Sequence, residues 1–477
     1  MSKGFQRLVG LAVIGIVLIA AGLMWWALST TNTPALWNPV EFRIAGVWST
    51  FYNTELPNTA VLLMAVGIAI ALVAFVVIGE RLVTRRYRRT PLEVVKRTLA
   101  PKAVMERTRG VFAGPVETTV LIPAHNEEVS LPYTLEALRA QAFPPQRIIV
   151  VADNCTDGTT EIARKHGVEV FESVDNIHKK GGALNQCLAM VLPGLGDNDC
   201  VMVMDADSQI GYEFLDVARQ RFTQDRALMA VGGLFHGEEG HGLLGQFQRN
   251  EYTRYQREIA RRDGRVFVLT GTATVFRSAA LRAVAQARGT TLPGIHGDVY
   301  DTAALTEDNE LTIAIKTLGG LTTSPNECTV ITELMPTWKM LWAQRIRWQR
   351  GALENLGAYG VTPQTMRYWA QQIGIGYGVV ALLSYFALMI IMLVSMDTWI
   401  WFPFWLLLGL VFAFERVVTA WRGGWRARIL AALVIPELVY DLFLDAAFLK
   451  GVFDIAFGRS AAWKHVEHID APEKADR

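Results

Sequence analysis

Two carboxylates separated by one residue close the apolar run at Val201–Met204. The segment reads V-M-V-M-D-A-D-S, with Asp205 and Asp207 followed by Ser208, a residue suited to capping a helix. Four apolar residues make a short buried strand, and alternation along an extended chain turns both acids to the same side. In an open α/β sheet ligands bind just beyond the carboxyl ends of the strands, so acids at such an end are placed for a site. Two hard oxygen donors suit Mg2+ or Mn2+ bridging to a diphosphate, because such ions take few protein carboxylates and complete their shell with phosphate and water. A strand-to-turn junction also favours Asp for its geometry alone. The company this pair keeps therefore decides the reading.

Five further stretches accompany it. V-L-I-P-A-H-N-E-E, residues 120–128, is a strand that breaks at Pro123 into a polar loop, and V-V-A-D-N-C-T-D-G-T, residues 150–159, ends another strand in Asp153 and Asp157. H-K-K-G-G-A-L-N, residues 178–185, sets Lys180 in a basic turn entering a helix, whose free N–H groups and positive dipole end suit a phosphate. T-E-D-N-E, residues 306–310, places Thr306 to cap a helix over Glu310–Leu318 that stops at Gly319-Gly320. Acids favour a first helical turn by themselves; in the chemical reading Glu307 or Asp308 is a general base that deprotonates an attacking hydroxyl. Asp298 and Asp301, in the long loop before this stretch, rival Asp308 for that task. After it comes Q-R-I-R-W, residues 344–348, where an Arg fork can clamp a diphosphate and a Trp offers a flat face to a sugar ring.

The elements that must hold these residues are of two kinds. Of 477 residues, 51% are hydrophobic and only 19% charged, so part of the chain is expected in lipid. Lys plus Arg is 46 and Asp plus Glu 45, so net charge says nothing about partners; no nucleic-acid partner is expected. Residues 1–90 are read as two transmembrane helices, Leu8–Leu28 and Ala60–Gly79, joined by an external loop; Arg81, Arg85, Arg86, Arg88 and Arg89 then place the following region in the cytoplasm. Within residues 91–335, strands at Thr118–Ile122, Arg147–Ala152, Val168–Phe171 and Val201–Met204 alternate with helices at Leu131–Ala140, Thr159–His166 and Gly181–Val191. This is the pattern of an α/β domain on a parallel sheet. Cys155, Cys187, Cys200 and Cys328 all fall in this region without metal spacing, and read as reduced thiols.

Residues 336–365 follow as amphipathic interface helices, with Trp338, Leu341, Trp342 and Ile346 on one side and Lys339, Arg345, Arg347 and Arg350 on the other. Residues 366–450 hold C-terminal transmembrane helices at Ile373–Val394 and Trp399–Phe414, linked by a short turn at Met396-Asp397, and 451–477 form a tail. Ile429–Leu449 carries Glu437, Asp441 and Asp445 on one helical face, which fits either a fifth crossing with acids turned inward or a helix at the cytoplasmic interface.

The ordered set Asp153, D-x-D at 205–207, T-E-D at 306–308 and Q-x-x-R-W at 344–348 resembles that of membrane-integrated glycosyltransferases of family 2, which include cellulose, chitin, hyaluronan and poly-N-acetylglucosamine synthases. The resemblance covers about residues 116–355 and extends to the flanking spans. It implies a GT-A, Rossmann-like α/β domain embedded between transmembrane helices. Asp153 would contact the uracil of a UDP-sugar and Lys180 the nucleotide phosphates. Asp205 and Asp207 would hold nucleotide and Mg2+ or Mn2+, Asp207 more directly. Asp308, beside Glu307, would be the base; Gln344, Arg347 and Trp348 would bind the pyrophosphate and the acceptor sugar. Gly271 and Thr272, in V-L-T-G-T-A-T-V-F, match the family's acceptor-side strand and loop. The implied activity is inverting, metal-dependent, processive β-transfer from UDP-N-acetylglucosamine or UDP-glucose to a polysaccharide at the plasma membrane. Single addition to a lipid or polyprenyl-linked acceptor is the alternative.

Overall fold

The computed structural model describes residues 115–225, 228–262, 264–395 and 403–459, two strands between residues 40 and 52, and a few isolated positions from 22 to 78. The expected span at 8–28, nearly all of that at 60–79, and the turn at 396–397 lie outside the described residues. Contacts divide the chain into two units, residues 1–89 with 389–399 and residues 90–388 with 400–477. In the first, β1 (Val40–Ile44) pairs antiparallel with β2 (Trp48–Tyr52), a hairpin inside the segment expected as an external loop.

The second unit opens with β3 (Thr118–Ala124), α1 (Leu131–Arg139), β4 (Arg147–Ala152), α2 (Thr159–Lys165), β5 (Glu169–Glu172), α3 (Lys179–Val191) and β6 (Cys200–Met204). Each lies within two residues of its expected range. After β7 (Gln209–Ile210) and α4 (Phe214–Gln224) come β8 (Leu228–Gly232), β9 (Leu234–Gly237), α5 (Gly242–Arg261), β10 (Ala273–Arg277) and α6 (Ser278–Ala287). The series ends with α7 (Glu307–Thr317), β11 (Leu321–Thr323) and β12 (Thr329–Thr332).

Seven strands form one sheet in the order β11-β8-β10-β6-β3-β4-β5. The half built from β6, β3, β4 and β5 is parallel as expected, but β10 runs antiparallel to both β6 and β8, so the whole sheet is mixed. Both faces are buried. Leu121, Ile149, Val151, Val201 and Val203 join Leu184, Cys187, Leu188 and Val191 of α3 on one side. Val120, Ile122, Val150, Met202 and Met204 join Leu131, Leu135 and Leu138 of α1 on the other. Burial on both faces explains why these strands read as nearly continuous apolar runs. At about 1.5–3 kcal/mol for each fully buried aliphatic side chain, this two-sided core fixes the strand ends from which the polar motifs project. All four cysteines are free, three of them buried in the core.

Beyond the sheet lie α8 (Trp338–Tyr359), α9 (Met366–Ser395), α10 (Pro403–Thr419), α11 (Gly424–Leu433) and α12 (Ile435–Ala456). Here the structure departs from the sequence pattern in two places. The cations of α8 do not all face water: Arg345 is buried and donates to Glu251 of α5 at 3.0 Å, and buried Arg350 donates to Glu354 at 2.6 Å. Its aromatic side is in contact with α12, with Phe443 5.0 Å from Trp338 and 5.4 Å from Trp342, while Trp338 remains 45% exposed.

The continuous helix expected at 429–449 is instead broken at Val434, which stands at φ 55° ahead of Pro436. A proline removes an amide and clashes with the preceding turn, so α11 must end before it. Glu437, the first acid of the stripe, is 2% exposed and accepts from Asn250 at 2.8 Å and Arg254 at 2.6 Å, both on α5. Asp441 pairs with Arg416 of α10 at 2.5 Å. These two acids are matched by cations and amides of the same unit. Among the described residues, Met366–Ala387 within α9 is long and apolar enough to cross a membrane by length and composition. Its Ile373, Tyr377 and Val380 are all exposed.

Candidate active site

At the end of β6 the chain does not stay extended. The Ser208 amide donates to the Asp205 carbonyl at 3.3 Å, closing a turn, so the two acids owe their placement to that turn and not to strand alternation. Ser208 caps no helix; its hydroxyl is buried and donates to Asp207 Oδ1 at 3.0 Å. The Asp205 amide donates to the Thr272 carbonyl at 3.1 Å, and the Thr272 hydroxyl donates to that of Thr270 at 3.0 Å. The loop ahead of β10 is thereby pinned to the D-A-D turn.

Lys180, from the second position of α3, reaches the same point. Its Nζ lies 2.5 Å from Asp205 Oδ1 and 3.4 Å from Glu307 Oε1. Burial works against the charge, but the two carboxylates outweigh it and hold the ammonium above its ordinary range. Asp207 is pushed up to about 7 by burial and by the carboxylates of Asp205, Glu127 and Glu333, against the Ser208 hydrogen bond.

Helix α7 begins at Glu307, three residues earlier than the sequence pattern placed it, so Glu307 and Asp308 form its first turn. Thr306 occupies the cap position without capping; its hydroxyl instead accepts from Asn355 of α8 at 3.2 Å. The two acids have diverged. Burial opposes ionisation of Glu307, yet Lys180, a backbone amide and Arg347 hold it below its ordinary value. Burial and the neighbouring Glu307 push Asp308 up to about 6, against Lys180 and the amides of Asn309 and Gly271. The Gly271 amide donates to Asp308 Oδ2 at 3.0 Å. Lys180, Gly271, Tyr300, Glu307 and Asp308 line one narrow cavity. Two carboxylates with separated proton affinities are the arrangement that acid–base chemistry needs.

Other expected residues lie apart. Asp153 ends β4, 8% exposed, and its Oδ1 accepts from Ser173 at 2.7 Å, Asn176 at 2.8 Å and Asn154 at 3.1 Å, which organises the loop before α3. Arg347 comes close enough to Lys179 and Glu307 to act on both. Gln344 and Trp348 do not line the Asp308 cavity: Gln344 Oε1 is buried without a partner, and the Trp348 ring lies under the Arg345 guanidinium at 4.5 Å. Asp298 and Asp301 also stay outside it. Asp301 accepts the Ala303 amide at 3.0 Å within its own loop, whereas Tyr300 between them enters the cavity. Tyr300, Glu333 and Asn355 carry no motif of their own, and Glu127, although it lies in the 120–128 stretch, was not singled out.

Among the described residues, no group of three or more acid, His or Cys side chains closes around one point. The donor chemistry nevertheless fits a hard divalent ion, since Asp207 is crowded by three other carboxylates and such an ion completes its shell with phosphate and water.

Residues 119–285 match the model of Glycosyl transferase family 2. The chain carries a family 2 glycosyltransferase domain. Its α/β sheet is the GT-A, Rossmann-like fold of such domains. Poly-beta-1,6-N-acetyl-D-glucosamine synthase of Staphylococcus aureus (strain COL) is 26% identical over 245 residues, 50% of this chain and 55% of its own length. Probable glycosyltransferase YdaM of Bacillus subtilis (strain 168) is 31% identical over 251 residues, 49% of this chain and 55% of its own. The chain thus spans about half the length of the relatives it matches. Among solved structures, mannosyltransferase PcManGT from Pyrobaculum calidifontis, in complex with GDP-Man and Mn2+, superposes with TM-score 0.48 at 17% identity, covering 82% of this chain and 99% of that chain. TarS 1–349 of S. aureus in complex with UDP gives TM-score 0.37 at 15% identity over 74% and 95%.

Proposed function

We propose that this transferase moves a sugar from a UDP-sugar, UDP-N-acetylglucosamine or UDP-glucose, onto the end of a β-linked polysaccharide, processively and with inversion, at the plasma membrane. The observation that carries the reading is the split between Glu307, held ionised beside Lys180, and Asp308, held up to about 6 at the Gly271 amide. A carboxylate poised near operating pH is an effective proton acceptor. Asp308 takes the proton of the acceptor hydroxyl as its oxygen attacks the anomeric carbon from the face opposite the nucleotide. The bond from that carbon to the diphosphate breaks, and UDP leaves with the electron pair.

Lys180 and Arg347 can offset charge on the departing diphosphate, and Asp153, after β4 on the far side of β3 from β6, is assigned to the nucleotide through the motif likeness. Mg2+ or Mn2+ held by Asp207 with Asp205 would neutralise further charge on the same group. Gln344 and Trp348 are assigned to the acceptor side through the Q-x-x-R-W likeness. The choice of N-acetylglucosamine draws on the synthase named among the relatives, the UDP carrier on the motif resemblance, and the bilayer assignment on the length and exposed apolar surface of α9.

The test is UDP release by detergent-purified full-length protein, with Mg2+ or Mn2+, across a panel of UDP-sugars, with products sized on a gel. Donor-specific release with high-mass product is expected. A small or lipid-extractable product alone would replace polymerisation by single addition, and no release with any donor would overturn the reading.

A further inference from the structure

Helix α8 carries Arg347, Gly351, Asn355 and Tyr359 at four-residue spacing, which sets them along one ridge. The members of that ridge meet the start of α7. Arg347 acts on Glu307. At Gly351 a Cβ would lie 2.6 Å from Thr306 Oγ1 and 2.8 Å from its Cγ2, so the two helices approach this closely only because no side chain intervenes. Asn355, 4% exposed, donates from Nδ2 to the Thr306 carbonyl at 3.1 Å and to Asn309 Oδ1 at 3.0 Å, besides the Thr306 hydroxyl. The Tyr359 hydroxyl donates to Glu310 Oε1 at 2.5 Å.

Glu310 is gripped a second time from behind. Arg288, fully buried at the end of α6, donates to both its oxygens, at 2.5 and 2.7 Å, and also to the carbonyls of Pro293 and Val299. The loop that brings Tyr300 into the cavity is therefore tied into the same knot.

We propose that Asn355 and Tyr359 are positioning residues of the transferase: the ridge of α8 fixes the first turn of α7, and with it the direction of the Asp308 carboxylate relative to the Lys180–Asp205 pair. The inference rests on Asp308 being the base. Its consequence is that the helix bearing Gln344, Arg347 and Trp348 and the helix bearing the base move as one body, so an acceptor held by the first stays in register with the second. Small displacements of a reacting group are costly, so Asn355→Ala lowers kcat by roughly 10- to 100-fold and Tyr359→Phe by less, while KM for the UDP-sugar stays within about twofold.

The experiment is steady-state UDP release by the full-length protein for these two variants, with thermal melting of each and Asp308→Asn run alongside. A fall in kcat at constant donor KM, in a variant that still melts cooperatively, supports the assignment. Unchanged kcat in both variants overturns it, as does a loss confined to KM. If Asn355→Ala does not fold, Tyr359→Phe, which removes one hydroxyl and keeps the ring, decides alone. Normal turnover by Asp308→Asn would instead strike at the base reading itself, and the positioning role would fall with it.

Discussion

The Gly271 amide donates to Asp308 Oδ2 over 3.0 Å, and one residue further on the Thr272 carbonyl accepts the Asp205 amide over 3.1 Å. A two-residue segment thus holds the T-E-D acids and the D-A-D acids, distant in sequence, at a fixed separation. On the proposed assignment, such preorganisation would let a proton acceptor and a diphosphate site face one sugar carbon without further rearrangement.

Asp308→Asn should separate binding from chemistry. The carboxamide keeps the size of the side chain and an oxygen that can accept from Gly271, but it takes no proton. Donor binding is expected to persist while turnover falls by roughly 10²- to 10⁴-fold, the range for loss of a general base. Donor affinity by equilibrium dialysis and turnover by UDP release check the two halves; normal turnover would refute the base assignment.

The pH profile follows from the same residue. Burial and Glu307 raise Asp308 to about 6, so its protonated, inactive form persists to higher pH than for an ordinary carboxyl. Activity should therefore drop as pH falls through about 6 and level off above it. Glu307→Gln removes the adjacent negative charge and should move this acid limb to lower pH, even though Lys180 loses a partner. A limb that moves upward in that variant would contradict the electrostatic account.

Asp207→Asn should abolish metal-dependent turnover, and unchanged Mg2+ or Mn2+ titration curves would exclude the residue as a ligand. Stability supplies an independent check. Asp207 is raised to about 7 in the folded protein by burial and by Asp205, Glu127 and Glu333, above its ordinary value of 3.8. The folded state therefore binds this proton more tightly than the unfolded chain, and the group's contribution is lost as pH rises through about 7. Without metal, the melting temperature of the unsubstituted protein should fall relative to Asp207→Asn between about pH 4 and pH 7 and level off above that.

What the sequence discloses here is local. β3, β4 and β6 are unbroken apolar runs ending in polar turns, so both the strands and the positions of Asp153, Asp205 and Asp207 could be read directly. What depends on a partner from elsewhere in the chain could not. Arg345 looks identical in sequence whether it meets water or, as here, Glu251 and the Trp348 ring. β10 is a plausible strand, but its antiparallel insertion between β6 and β8 is a tertiary choice. Tyr300 belongs to no motif, and its loop is brought to the site by the grip of Arg288 on the Val299 carbonyl and by Asn185, which accepts the Val299 and Tyr300 amides and donates to the Tyr300 carbonyl. One miss was avoidable: Pro436 marks the break between α11 and α12 in plain sight.

Arg288 and Glu310 allow a test of the knot behind the site. Both are essentially excluded from solvent, and the guanidinium donates to both carboxylate oxygens. Removing one partner of such a pair leaves an uncompensated buried charge, whereas removing both also removes the desolvation penalty. Arg288→Met should accordingly destabilise the protein by about 3–5 kcal/mol, while Arg288→Met with Glu310→Leu should recover much of that loss. The double variant still forfeits the Tyr359 bond and the tie to the Val299 carbonyl, so it should regain stability without regaining full turnover. Denaturant melts in detergent beside UDP-release assays read both quantities. A double variant no more stable than Arg288→Met would show that the buried charge is not what Arg288 compensates, and full recovery of turnover would mean that the knot does not orient α7.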